Sequence, residues 1–86
     1  MKVDRLDLVG AGESILITPG EMIRELRNLK GWSQLDLASE TGISQTNISA
    51  IENGRVKLGK ERTIVLAEAL SVHPASIMFA DYDVAA

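Results

Sequence analysis

Gln45, Thr46, Ser49 and Ala50 stand close together in this chain, and Arg55, Lys57, Lys60 and Arg62 follow with only Glu61 to oppose them. The first group offers amide and hydroxyl donors and acceptors and two methyl groups, without charge or bulk. A glutamine can bond N6 and N7 of adenine together, Ser and Thr serve either kind of base edge, and the Ala50 or Thr46 methyl can touch that of thymine. The second group makes residues 53–62 a segment of four bases against one acid, a local +3, which is where an anion would sit. Any solvated helix carries Gln, Thr, Asn and Ser; what sets this stretch apart is its position between a glycine-turned helix pair and a basic loop. Other chemistry is hard to assemble. There is no cysteine and a single histidine, so a thiolate metal site, a multi-histidine centre and a nucleophile, base and orienter set all lack their residues. The reading requires no cofactor and no enzyme activity.

The elements that would position these groups are legible from periodicity and caps. Thr18 with Glu21 three residues later and Pro19 between them forms a capping box, and Met22, Ile23, Leu26 and Leu29 then recur on one face until Gly31, predicting a helix over about 19–30. Ser33 and Asp36 form a second box opening a short helix over about 33–40, with Leu37 and Ala38 inward. Gly42 breaks the chain, Ile43 points inward, and Ser44 caps a third helix over about 44–53 that ends at Asn53-Gly54. On a wheel at about 100° per residue, Ser44, Ile48 and Ile51 fall on the core side of that helix. Thr46, Ser49, Ala50 and Asn53 fall opposite, with Gln45 at the exposed N-terminal end. Two short helices about a glycine turn make a helix-turn-helix unit. A fourth helix over about 60–70 turns Ile64, Leu66, Ala67 and Leu70 to the core, and His73-Pro74 starts a last short helix through Phe79. Before all of these, Leu6 and Leu8, then Ile15 and Ile17, alternate around Gly10-Ala11-Gly12, which reads as a hairpin over 5–18 whose Gly-x-Gly is a turn and not a nucleotide loop.

Length and balance bound the rest. Eighty-six residues, 45% apolar and 24% charged, suit one small globular domain. The organisation expected is an N-terminal extension over 1–17, one domain over 18–80 and a tail over 81–86. No clean apolar run is longer than that of Ile64 to Ala67, far short of the roughly 20 residues that span a bilayer. Early charges at Lys2, Asp4, Arg5 and Asp7 do not suit a signal peptide, so the expectation is a soluble cytoplasmic chain. The net charge of −3 argues at face value against a polyanion partner. Its distribution argues otherwise, because both ends are acidic and residues 24–62 carry seven bases against five acids.

The run Trp32-Ser33-Gln34, Leu37-Ala38, Gly42-Ile43-Ser44-Gln45, Ile48-Ser49 and Ile51-Glu52-Asn53-Gly54 resembles the helix-turn-helix domain of phage repressors and Cro, the xenobiotic-response-element type, and the resemblance extends over about 18–79. It implies an all-α fold of five helices, the third of which enters the major groove of a two-fold operator. Gln45, Thr46 and Ala50 fall on that family's base-reading positions, with Ser49 nearby; Ala50 departs from the longer polar side chain often found there. Gln34, and Asn53 with its following loop, match positions that hold phosphates. Ser44, Arg55, Lys57 and Lys60 join them as backbone-contact candidates. The chain is also similar to HigA-like antitoxins, which pair this domain with short extensions.

Two functions follow as expectations. The first is a transcriptional regulator, a repressor that binds double-stranded DNA as a homodimer. The second is an antitoxin that masks a protein toxin and autoregulates its operon, motivated by the acidic ends and the apolar tail. The dimer seam is expected either at Met78, Phe79 and Tyr82 or along the hairpin residues Leu6, Leu8, Ile15 and Ile17. Of the remaining residues, Trp32 reads as a core staple, Glu52 as a structural ion-pair partner, His73 as a cap or surface residue, and Leu35 as a single exposed leucine.

Overall fold

The computed structural model describes residues 17–80. Within them the chain forms α1 (Pro19–Leu29), α2 (Gln34–Thr41), α3 (Gln45–Glu52), α4 (Lys60–Leu70) and α5 (Pro74–Met78). The fold class is all-α, with no strand among the described residues. The expected hairpin residues Leu6, Leu8 and Ile15, and Tyr82 of the tail, lie outside the described residues. Ile17 lies within them and is half-buried.

Four of the five helices begin at a side chain that accepts from a free N–H of the first turn; α4, which follows Gly59, has no side-chain cap. At α1 the Glu21 N–H donates to the Thr18 hydroxyl at 3.1 Å while the Thr18 N–H donates to the Glu21 carboxylate at 3.0 Å. The same reciprocal pair, at 3.0 and 2.8 Å, joins Ser33 and Asp36 ahead of α2. Ser44 caps α3 by accepting from the Asn47 N–H at 3.1 Å. That role keeps Ser44 exposed at the helix entrance, not on the core side where the wheel put it. His73 caps α5, its Nδ1 accepting from the Ala75 N–H at 3.0 Å.

The turn between α2 and α3 depends on Gly42, whose φ of 79° is left-handed and whose N–H bonds to the Ala38 carbonyl. Thr41 locks the same turn: its hydroxyl donates to the Leu37 carbonyl at 2.8 Å and accepts from the Ile43 N–H at 3.2 Å.

All five helices contribute to one core made of Ile23, Leu37, Ile48, Ile51, Leu66, Ala67, Leu70 and Ile77. Met22, Leu26, Trp32, Ala38, Ile43, Leu58 and Val72 pack around it. Burying each large member stabilises the fold by about 1.5–3 kcal/mol before entropy is counted.

Two apolar residues expected on inward faces are also on the surface. Ile64 is 45% exposed because the buried stripe of α4 runs through Thr63, Leu66, Ala67 and Leu70. Thr63 occupies the inward place because its hydroxyl finds an internal acceptor, the Gly59 carbonyl at 2.7 Å. Leu29 is 81% exposed at the last residue of α1, whose last turn instead meets the core and α3 through Leu26 and Arg27.

One close approach sets how α1 meets α3. Gly20 is buried, and a Cβ there would fall on the Ile51 carbonyl oxygen and 3.0 Å from that of Glu52. Only glycine lets the first turn of α1 lie against the last turn of α3.

Candidate nucleic-acid interface

The core stripe of α3 is Ile48, Ile51 and Glu52, which leaves its N-terminal end facing outward. Gln45 and Thr46 are exposed there, Ser49 and Ala50 are half-buried farther along, and Asn53 is exposed at the end. The chain then continues through Arg55, Lys57 and Lys60, all exposed. Lys57, Lys60 and Arg62 line one open depression with Gly59 and Glu61 at the start of α4. The structure therefore places an uncharged polar helix face and a basic segment consecutively along the chain.

Beneath that face is a buried carboxylate. The Glu52 side chain has no exposed surface, and Arg27 clamps it, Nε to Oε2 at 2.7 Å and Nη2 to Oε1 at 3.0 Å. Such a fork-to-fork pair is the strong form of a charge-assisted bond. Arg24 Nε lies 3.5 Å from Oε1 of the same carboxylate. Burial pushes the Glu52 carboxyl up, but bonds from Arg27 and Gln34 and the charges of both arginines outweigh it and hold it below the ordinary carboxylate value. The bond to Glu52 raises the Arg27 guanidinium in turn, against the opposing effect of burial. The remaining Arg27 donor, Nη1, bonds the Trp32 carbonyl at 2.8 Å, tying the α1–α2 connection to the same centre. Trp32 itself is half-buried against the core with the Lys30 ammonium 5.0 Å from its ring centroid, as a staple should be.

The network reaches the outward face twice. Gln34 Nε2 donates to Glu52 Oε1 at 3.0 Å, and Gln45 Nε2 donates to Gln34 Oε1 at 2.7 Å. Arg24 Nη2 donates to Asn53 Oδ1 at 2.8 Å, and Asn53 Nδ2 donates to the Ser49 carbonyl at 2.9 Å. Gln34, Gln45, Ser49 and Asn53, which came from separate parts of the sequence, are thus brought onto one scaffold. The sequence does not single out Arg24 and Arg27, because nothing in the spacing links them to a glutamate 25 residues or more away. The available signal was Glu52 itself, a charged residue in the core register of α3.

Met78 and Phe79, candidates for a dimer seam, are 44% and 58% exposed. Leu35 is exposed as expected. Among the described residues no group of three or more His, Cys, Asp or Glu could hold a metal ion, and no helix is long and apolar enough to cross a membrane.

The helix-turn-helix family profile matches residues 23–77. Among solved structures the chain is similar to the restriction-modification controller protein C.AhdI from Aeromonas hydrophila, with 31% identity over 71% of this chain and 92% of that one and a TM-score of 0.68. It is similar to the P22 c2 repressor in complex with a synthetic operator, at 28% identity over 70% and 91% of the two chains and a TM-score of 0.66. The clp gene regulator ClgR from C. glutamicum is 25% identical over 86% of this chain and 97% of that one, with a TM-score of 0.69. None of the curated proteins compared with the chain matches it. Five helices with a glycine turn between the second and third, over a matching stretch of this length, define the class. The chain belongs to the helix-turn-helix family of the phage-repressor and Cro type.

Proposed function

We propose that this protein is a cytoplasmic transcriptional repressor that binds an inverted-repeat operator in double-stranded DNA as a homodimer. The observation that carries the reading is the exposed, uncharged Gln45–Thr46 end of α3, followed directly by the exposed basic segment of Arg55, Lys57 and Lys60. In a helix-turn-helix the second helix of the pair lies in the major groove, and α3 is that helix. Gln45, Thr46, Ser49 and Ala50 read base edges, while Gln34, Ser44, Asn53, Arg55, Lys57 and Lys60 hold phosphates. The similar P22 c2 repressor was solved in complex with a synthetic operator, which supports duplex DNA as the partner here. Exposed Met78 and Phe79 supply apolar surface for a two-fold seam. The antitoxin alternative rests on the acidic ends and the apolar tail, much of which lies outside the described residues.

Selection of bound duplexes from a random pool at stated salt tests the reading. Enrichment of an inverted repeat with half-sites about 34 Å apart is expected. No enrichment above non-specific binding would remove it. Lys57→Ala should weaken binding evenly across sequences and lower the salt slope by about one. Gln45→Ala should alter preference at one base pair and leave the others alone.

A further inference from the structure

We infer that Asn53 is a site of spontaneous covalent modification: the Gly54 nitrogen closes on its side-chain amide, the fold holds that reaction back until the end of α3 opens, and the acidic product binds DNA less well. The last step rests on the reading of Asn53 as a phosphate contact proposed above; the first two do not.

The chemistry belongs to two neighbouring residues. An asparagine side chain carries an amide carbon that can join the following main-chain nitrogen in a five-membered ring, which is one reason asparagine is thermolabile. The nitrogen gives up its proton to solvent hydroxide and attacks Cγ. The N–Cγ bond forms and the Cγ–Nδ2 bond breaks, Nδ2 leaving as ammonia after taking a proton from water. Hydroxide then opens the cyclic imide at either carbonyl carbon, giving aspartate or isoaspartate. An amide and a water have become a carboxylate and ammonium, with nothing oxidised or reduced. A side chain on the following residue obstructs the attack, and Gly54 has none. The other two asparagines, Asn28 and Asn47, precede Leu29 and Ile48, whose branched side chains stand in the way.

The folded geometry withholds the attack. Seen down the Cα–C bond, Cβ stands about 120° from the residue's own nitrogen, and ring closure needs the following nitrogen on the Cβ side. Asn53 has a ψ of 2°, which eclipses the Gly54 nitrogen with the Asn53 nitrogen instead. The bond must turn by about 120° before the ring can form. That turn breaks the cap of α3, in which the Gly54 N–H donates to the Ile51 carbonyl at 3.1 Å and the Arg55 N–H to the Ala50 carbonyl at 2.9 Å. The side chain is held too: Asn53 Oδ1 accepts from Arg24 Nη2 at 2.8 Å and Nδ2 donates to the Ser49 carbonyl at 2.9 Å. Asn53 and Gly54 are nevertheless exposed at a helix end, where a chain opens without unfolding as a whole. The product is unlike asparagine in both charge and bonding. An aspartate has no proton for the Ser49 carbonyl, and its charge falls at the negative end of α3 and, on the proposed reading, against a phosphate. An isoaspartate also lengthens the main chain inside the cap.

Peptide mass spectrometry tests the chemistry without DNA. The intact protein is incubated in warm, mildly alkaline buffer, alone and in urea, and the Asn53 peptide is followed for the gain of about 1 Da as amide becomes acid. Modification is expected at Asn53 and not at Asn28 or Asn47, and at least about ten-fold faster in urea, where the cap bonds are gone. Equal rates in buffer and in urea would overturn the gating, and an Asn53 that stays intact in urea would overturn the inference outright. Binding is read separately. Modified wild-type chains, isolated by ion exchange, should bind the duplex selected by fresh protein about ten-fold more weakly. Asn53→Asp should do the same and bind more weakly than Asn53→Ala, which loses the contact without adding charge. Modified chains that bind as fresh ones do would overturn the functional consequence. If fresh protein selects no duplex, the DNA reading fails, and the masses still decide whether Asn53 is modified and whether the fold restrains it.

Discussion

A carboxylate without exposed surface destabilises a fold unless its charge and lone pairs are matched, and Glu52 meets that condition with partners from α1 and α2. Removing the match is more costly than the pair itself is worth, because it leaves Arg27 charged and mostly buried. Glu52→Gln should lower the unfolding free energy by roughly 3 kcal/mol at neutral pH, read from urea denaturation. The pH dependence has a definite sign. Since the folded carboxyl is held below its ordinary value of 4.5, its contribution is complete above that value and is lost as pH falls through the lower folded value. The stability gap between wild type and Glu52→Gln should therefore shrink on acidification below 4.5. A gap that stayed constant through acid would mean that Glu52 does not titrate with folding.

Among the helices, Gly20 gives the clearest case in which packing reverses a local preference. In a helix, alanine is favoured over glycine by about 1 kcal/mol, so α1 considered alone would gain from Gly20→Ala. The Ile51 and Glu52 carbonyls fill the space that a Cβ needs, and they are backbone atoms that cannot swing away. Gly20→Ala should destabilise the protein by about 1–3 kcal/mol in thermal unfolding, the range for overpacked sites. It should also disturb the network around Glu52, because α1 and the end of α3 would have to separate. A stabilised Gly20→Ala would show that this contact is loose. The caps behave more simply. Ser33→Ala removes an acceptor from a reciprocal pair on an eight-residue helix and should cost about 1 kcal/mol by the same measurement.

For the protein as an assembly on DNA, the distribution of charge matters more than its sum. A chain of net charge −3 whose densest run of bases is residues 53–62 should attract phosphate chiefly at that segment. On the proposed reading, affinity for arbitrary DNA should then be low and salt-sensitive, and specific binding should lean on the uncharged face of α3 and on two copies acting together. Met78→Asp tests the second of these requirements. If the end of α5 is the seam, sedimentation should shift from dimer to monomer, and affinity for a two-half-site duplex should fall further than affinity for a single half-site. A Met78→Asp protein that remained a dimer like the wild type would place the seam elsewhere on the chain, and a monomeric wild type would remove the homodimer reading.

Much of this was legible in the residues alone. The capping boxes at Thr18 and Ser33, the glycine at the α2–α3 turn and the apolar periods located all five helices to within about two residues, because caps and turns are contacts between near neighbours in sequence. The outward placement of Gln45 and Thr46 followed from the same local periodicity, as did the basic segment after α3. Contacts between distant segments were not legible. Ile64 and Leu29 are apolar and roughly in phase, yet exposed, since burial depends on whether another helix covers the site and not on the residue's own pattern. Glu52 could be marked as an ion-pair partner from its register, but its partners Arg24, Arg27 and Gln34 could not be named. Only folding brings α1 and α2 against the end of α3, and only there do Arg27 and Gln34 meet the buried Glu52 carboxylate and Gln45 meet Gln34.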